Sequence, residues 1–258
     1  MLSHKKRLIS YKVLLSKEIW RFFKVYHQTI ISPIISALLF FSIFTIAIGK
    51  HVDFIGSIKF EVFMSAGLIA MSIIQNAFAN TSSVMVISKV NGAIIDYLLP
   101  PFTPTQMITC FAISSLIRST IIAFILYIIL FFITGIPIYN PGTLLAFIAL
   151  SSILLSNIGL LTGIASKRFD DLAAITNYIV TPLSFLSGTF YPISNLSPWF
   201  NKIIYYNPFF YIVDGIRFSF TNFKECNIVT ALASLTILNI FIWAICYFVL
   251  KSGWKLRK

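Results

Sequence analysis

Long apolar stretches without Asp, Glu, Lys or Arg dominate this chain and leave few folds open to it. They run from Val25 to Gly49, Val62 to Ser88, Tyr97 to Ile117, Ser119 to Ser166, Leu172 to Asn201 and Cys226 to Leu250. A helix that crosses a bilayer needs about 20 mainly apolar residues. Each stretch holds at least one such helix. Hydrophobic residues make up 58% of the chain and charged ones 11%. Backbone polar groups in lipid must be satisfied within their own segment, so the expected class is all-α and polytopic. The functions left open are transport, a channel, a membrane enzyme or assembly.

The stretch from Ser119 to Ser166 is 48 residues, too long for one helix. The run Gly135-Ile136-Pro137-Ile138-Tyr139-Asn140-Pro141-Gly142 splits it with a dense turn signal. The part before the turn covers only about 24 Å as a helix, against a hydrocarbon core of about 30 Å. Its helix must therefore start near Met107, which puts Arg118 inside the membrane. Six transmembrane helices result: 30–49, 62–87, 107–134, 143–165, 173–192 and 228–250.

An even number of spans leaves both termini on one side. Counting Lys and Arg, that side carries 14 of them: the N-terminal segment, the 88–106 and 166–172 loops and the C-terminal tail. The other side carries 5. The positive-inside rule makes the first side cytoplasmic. The net charge of +12 is mostly this rim, so no nucleic-acid partner is expected. Met1 to Lys24 has charges throughout and no apolar core, so no cleavable signal peptide is expected and the first span serves as the insertion signal. Cys110, Cys226 and Cys246 show no disulfide or metal spacing. Neither an internal repeat nor a soluble domain is visible. The whole of 1–258 reads as one membrane domain.

Three segments lie outside the spans. Within 1–29, Leu8, Tyr11, Leu15, Ile19, Phe22 and Tyr26 recur at spacings of 3 or 4. Lys6, Ser10, Lys17, Arg21 and Lys24 take the opposite face. An amphipathic helix in the headgroup plane of membrane lipids follows, and its surface is open to a cytoplasmic partner. The 88–106 segment holds a short apolar helix closed by prolines, either an interfacial connector or a knob for another protein. The 193–227 segment holds two short helices split at Asn207-Pro208, on the outer side. Trp199, Tyr205, Tyr206 and Tyr211 suit the aromatic belt there, with stacking on sugars as the alternative.

Catalytic constellations are missing. The chain has no phosphate-binding Gly-Lys-Ser/Thr loop, no Gly-x-Ser-x-Gly elbow and no His-Glu-x-x-His. His4, His27 and His51 lie near membrane ends without paired ligands, so no metal is expected. Asp170-Asp171 follows Lys167-Arg168 in a short turn, where local pairing and helix capping explain it. Arg118 is the residue to single out, because a buried intramembrane charge faces a bundle interior or a wet cavity. It either pairs with Asp214 or a helix-end carbonyl, or contacts an anionic substrate group such as a phosphate. The structural role is preferred, since no second basic residue is expected at its depth.

Three stretches carry a family resemblance. The first is Gly67-Leu68-Ile69-Ala70-Met71-Ser72-Ile73-Ile74-Gln75-Asn76-Ala77-Phe78-Ala79-Asn80. The second is Lys167-Arg168-Phe169-Asp170-Asp171 with Thr181 to Pro192. The third is Asn207-Pro208-Phe209-Phe210-Tyr211 with Asp214-Gly215-Ile216-Arg217. With them the chain resembles, over nearly its full length, the bacterial ABC-2-type permeases, the membrane subunits of ABC exporters. The resemblance implies a homodimer with two copies of a separate ABC ATPase subunit, in the bacterial plasma (inner) membrane. This chain would bind no cofactor, and ATP would be bound by the partner. The 88–106 segment would be the coupling loop, with Asn91, Gly92, Ile95, Asp96, Leu98, Leu99 and Pro101 at the ATPase. Arg118, Tyr206, Phe210, Asp214 and Arg217 would line the substrate path, with the 193–223 helices at its outer end. The resemblance says little about the cargo; the apolar spans, with few charges for a hydrophilic ion, point to an amphipathic lipid-linked glycan or a lipid, with a small hydrophobic molecule as the alternative. Two rivals stand beside this: a membrane enzyme acting on lipid phosphate, and a channel or secondary transporter independent of ATP.

Overall fold

The computed structural model describes residues 4–47, 49, 52–100 and 102–255. His51 and Pro101 lie outside the described residues. Among the described residues, five helices are long and apolar enough to cross a membrane. The first runs His27–Ala47. It begins as a π-helical turn at His27–Ile31 and continues as α2 (Ser32–Ala47). The others are α3 (Phe60–Val90), α5 (Pro104–Thr134), α6 (Pro141–Ala165) and α11 (Ile228–Ser252).

Local chemistry sets their ends. Thr103 and Gln106 form a reciprocal capping box at the start of α5, with Pro104 as its first residue. Gly135, at φ 67°, ends α5 in the left-handed conformation that favours glycine. The expected turn between α5 and α6 follows it. Asn227 caps α11 by accepting from the Val229 N–H.

The fifth expected span, 173–192, lies earlier and is shorter. Its helical run joins α7 (Phe169–Ile175), a π turn at Thr176–Val180 and α8 (Thr181–Leu186). The Asp171 carboxylate accepts the Lys167 and Arg168 N–H groups and starts it. It stops before Gly188, whose φ is 74°. A two-stranded hairpin, β1 (Phe54–Ile55) and β2 (Ile58–Lys59), precedes α3.

α3 is the central helix, buried along most of its length. It packs on α5, α6, α10 (Pro208–Thr221) and α2. Small residues let α6 approach it: a Cβ on Gly159 would lie 2.6 Å from the Phe78 carbonyl oxygen. Gly159 and Gly163 form the close-packing seam of two small residues four apart. α2 and α11 are peripheral, and turn Ile35, Leu39, Ile43, Ile46, Ile237, Ile240 and Phe241 outward.

The segments expected to share one side meet at one end of the bundle. Lys89 donates to the carbonyls of Gly163, Ile164 and Ser166, and Lys255 to that of Ala165. α1 (His4–Lys24) and α4 (Ile95–Leu98) sit at this same end, against the start of α5. At the opposite end, α9 (Pro198–Tyr205) and α10 follow the split expected at Asn207-Pro208.

Candidate functional site: a polar seam, a cavity and a tethered loop

α3 places Ser72, Asn76 and Asn80 on one stripe at spacings of four, with Thr81 beside it. α5 presents Ser114, Ser115, Arg118 and Ser119, and α6 presents Ser152 and Ser156. All are buried. Asn80 Nδ2 donates to Ser115 Oγ at 3.0 Å and to Ser114 Oγ at 3.2 Å. Thr81 Oγ1 meets Ser115 Oγ at 3.0 Å and Ser156 Oγ at 2.8 Å. Ser119 and Ser152 hydroxyls meet at 2.6 Å. Hydroxyls and amides satisfy one another across three helices, as buried polar groups in a membrane must.

The seam reaches the end of the bundle through α1. Arg21 donates to both the Asn80 backbone oxygen, at 3.2 Å, and its side-chain oxygen, at 3.1 Å. Arg21 also pairs with Glu18, at 3.2 Å. Tyr97, in α4, donates its hydroxyl to the other Glu18 oxygen at 2.6 Å. Burial and then the nearby Glu18 carboxylate push the Tyr97 phenol above its ordinary range, so it holds the proton it donates. Next to it, Lys17 pairs with Asp96 at 3.2 Å and lies 4.8 Å from the Tyr97 ring centroid. A continuous set of contacts thus joins the 91–101 loop to the bundle core.

The apolar face expected for α1 is mostly kept, with Phe22 buried and Tyr11, Leu15 and Ile19 half-buried, but two of its assignments are corrected. Arg21, expected on the outward polar face, turns inward to Asn80. Leu14, Glu18 and Phe22 are the buried positions, while Tyr26 is exposed. Glu18, the only acid in a strongly basic helix, was the available signal. Its spacing of four from both Leu14 and Phe22 puts it on the buried face.

The loop divides its residues. Asn91 ends α3, and Gly92 turns the chain at φ 71°. Tyr97 faces in. Ile95 and Leu99, one helical turn apart, face out with 54% and 79% exposure. Asp96 is exposed apart from its pair with Lys17. The backbone at Leu98 is helical, its side chain is not described, and Pro101 lies outside the described residues.

Beside the seam lies a cavity of about 490 Å³ between α1, α2, α3 and the 176–181 turn. Arg21 and Arg118 both line it. Arg118 is 5% exposed and donates to Asn76 Oδ1 at 3.1 Å. Its Nε has no partner. Neither of the expected structural partners is used. Asp214 instead accepts the N–H groups of Glu225, at 2.9 Å, and Cys226, at 3.0 Å. Arg21 is the second basic residue on this cavity, which the outward placement of that side chain had hidden.

The remaining expected path residues are not gathered with Arg118. Phe210, Asp214 and Arg217 are buried near the opposite end. Arg217 lies 3.7 Å from Glu225, donates to the Gly188 carbonyl and sits 3.7 Å over the Phe63 ring. Glu225 in turn accepts the Ile193 N–H at 2.6 Å. Burial raises the Glu225 carboxyl above its ordinary range, against the pull of Arg217. These groups hold the 188–226 cap together. Tyr206 is 89% exposed and lines a groove with Tyr205, Tyr211 and α11. Among the described residues, no group of three His, Cys, Asp or Glu is placed to hold a metal. Cys110 and Cys246 are buried free thiols, and Cys226 is a partly buried one.

A polytopic bundle with a polar interior, a side cavity and an exposed loop at one end tied to that interior is built as a transport subunit. The chain belongs to the ABC-2 type transporter family, whose model matches residues 9–221. It is 28% identical over 249 residues to the inner membrane transport permease YadH of Escherichia coli K12, covering 96% of this chain and 97% of that one. The YadH permeases of Escherichia coli O157:H7 and Shigella flexneri match to the same extent. The protein is a membrane permease subunit of an ABC transporter, and its family implies an ABC ATPase partner.

Proposed function

We propose that this permease exports an amphipathic substrate across the bacterial inner membrane, as a homodimer driven by two separate ABC ATPase subunits. Its termini and the 88–106 and 166–172 segments face the cytoplasm, and the 193–227 cap faces outward. The 91–101 loop docks on the ATPase through Ile95 and Leu99, with Asn91, Gly92, Asp96, Leu98 and Pro101 shaping that contact. The observation that carries the reading is the tether from this loop to the core: Tyr97 to Glu18, Glu18 to Arg21, Arg21 to Asn80. Force applied at the exposed loop face is delivered to a buried polar seam. Arg118 and Tyr206 stay on the proposed substrate path; Phe210, Asp214 and Arg217 act on it only by shaping the cap. The inner-membrane name of the YadH relatives and the charge bias of the loops agree with this placement.

The test is purification of the tagged full-length chain from its native membranes in mild detergent. A soluble ATP-binding subunit should come with it, and should be lost from the Ile95→Asp, Leu99→Asp double variant. Those side chains are exposed, so the variant should fold with a stability change within about 0.5 kcal/mol. A wild-type chain that purifies alone would refute the docking and return the channel and enzyme readings.

A further inference from the structure

We propose that the Arg118 cavity is a binding site for a phosphate-type oxyanion, the charged head of an amphipathic substrate, with the apolar part of that molecule lying against α2. The inference rests on the permease reading and assigns its substrate a chemical class.

Four observations converge on it. Arg118 is almost wholly buried inside a membrane-spanning bundle, yet among the described residues no carboxylate pairs with it. A buried guanidinium is costly in such a place unless an anion or a wet cavity meets it. Its one protein partner, Asn76 Oδ1, is neutral, and its Nε is unpartnered. The remaining donors of the planar fork are therefore free for an oxyanion, the ligand such a fork suits best.

The second observation is the company it keeps. Arg21 lines the same cavity, and among the described lining residues there is no Asp or Glu. Glu18 balances the charge of Arg21, so Arg118 carries the cavity's uncompensated positive charge and favours an anionic head over a cationic one. Third, the cavity is mixed in character. Gln28, Gln75 and Ser72 supply further hydrogen-bonding groups, while Phe40, Leu68 and Met71 supply apolar wall. At about 490 Å³ it exceeds the needs of a bare phosphate and has room for the start of a chain. Fourth, the wall formed by α2 belongs to a peripheral helix whose other face, at Ile35 and Leu39, is exposed. A tail can leave sideways toward lipid. Arg21 also connects the site to the loop through Glu18 and Tyr97, so loop movement would change how the anion is held.

The chemistry does not distinguish a lipid phosphate from free phosphate, and the experiment does. The full-length protein in neutral detergent is mixed with dioleoyl phosphatidic acid, its phosphate-free counterpart dioleoylglycerol, or inorganic phosphate, and retained ligand is read by native mass spectrometry. Wild type should retain phosphatidic acid about tenfold over dioleoylglycerol, the scale of one charge-assisted contact. Arg118→Gln should lose most of that preference and Arg118→Lys should keep part of it. Displacement of phosphatidic acid by millimolar inorganic phosphate identifies free phosphate as a sufficient ligand; resistance to displacement identifies the lipid form. Equal retention of the two lipids by wild type, or an undiminished preference in a folded Arg118→Gln, overturns the proposal.

A second variant avoids touching Arg118. Ser36 is exposed and lines the cavity. Ser36→Cys should react faster with a negatively charged thiosulfonate reagent than with a positively charged one, each normalised to its rate on free cysteine. Phosphatidic acid should protect it. The opposite charge preference would overturn the proposal. The same preparations are checked for a co-purifying ATPase. If the ATPase is present without phosphate selectivity, this inference alone falls. Selectivity without an ATPase would leave the anion site standing and remove the permease pairing.

Discussion

Replacing Tyr97 by Phe removes one hydroxyl and leaves the rest of the loop in place. The ring keeps its packing near Phe111, at a centroid distance of 5.8 Å, and its position under Lys17. What is lost is a 2.6 Å hydrogen bond to a fully buried carboxylate. A hydrogen bond to a charged group contributes about 1.5–3 kcal/mol. Glu18 keeps Arg21 after the change, which sets the expectation at the lower half, about 1.5–2 kcal/mol. For a chain of this size that is a fall in Tm of about 3–8 °C, measured by thermal unfolding of the purified protein in detergent. A double-mutant cycle with Glu18→Gln isolates the pair and should return a coupling of at least about 1 kcal/mol. In the assembled transporter the same variant should hydrolyse ATP while exporting less, because the tether from loop to seam is cut. A Tm within about 1 °C of wild type and unchanged export per ATP would refute the tether.

Two further predictions follow from the packing. Gly163→Leu should destabilise by about 1–3 kcal/mol, since even a Cβ there would lie 2.5 Å from Met85 Cβ and 2.9 Å from the Ser82 carbonyl; thermal unfolding reads it. Glu225→Ala strands buried Arg217 and frees the Ile193 N–H, so limited proteolysis should cut the 188–207 segment more than tenfold faster, consistent with a loss of about 3–5 kcal/mol from breaking a buried pair.

Much of the architecture was legible because hydropathy and turn chemistry act locally. The breaks at Gly135–Pro141 and Asn207-Pro208 were visible as residues that cannot continue a helix. The fifth span was misplaced at both ends. Nothing in its apolar pattern shows that Gly188 turns left-handed, with residue 189 packed so closely on Gly67 that a Cβ there would meet the Thr189 carbonyl. At the site, Arg118 stood out because charge in an apolar run is rare. Its surroundings did not, because they depend on which faces of α1 and α3 meet. The 3.6-residue period of α1 fits two neighbouring faces. Only the pairing of Glu18 with Tyr97 and of Arg21 with Asn80 selects between them, and both are contacts across a long separation in sequence.

The seam is made of groups whose hydrogen bonds are individually weak. Inside a membrane such bonds average about 0.6 kcal/mol, because the separated helices find other partners. Asn80, on α3, joins three elements: it accepts from Arg21 of α1 and donates to Ser114 and Ser115 of α5, while its neighbour Thr81 reaches Ser156 of α6. A locked apolar core would resist sliding, whereas hydroxyls and amides can exchange partners at small cost. Asn80→Ala should therefore cost only about 1–2 kcal/mol in stability, the sum of a few such bonds. It should cost far more in coupling, since Arg21 loses its side-chain acceptor and keeps only a backbone oxygen on α3. The measurements are Tm in detergent and export per ATP hydrolysed in vesicles. A large fall in Tm with coupling intact would make the seam a structural clamp and separate it from the motion of the loop.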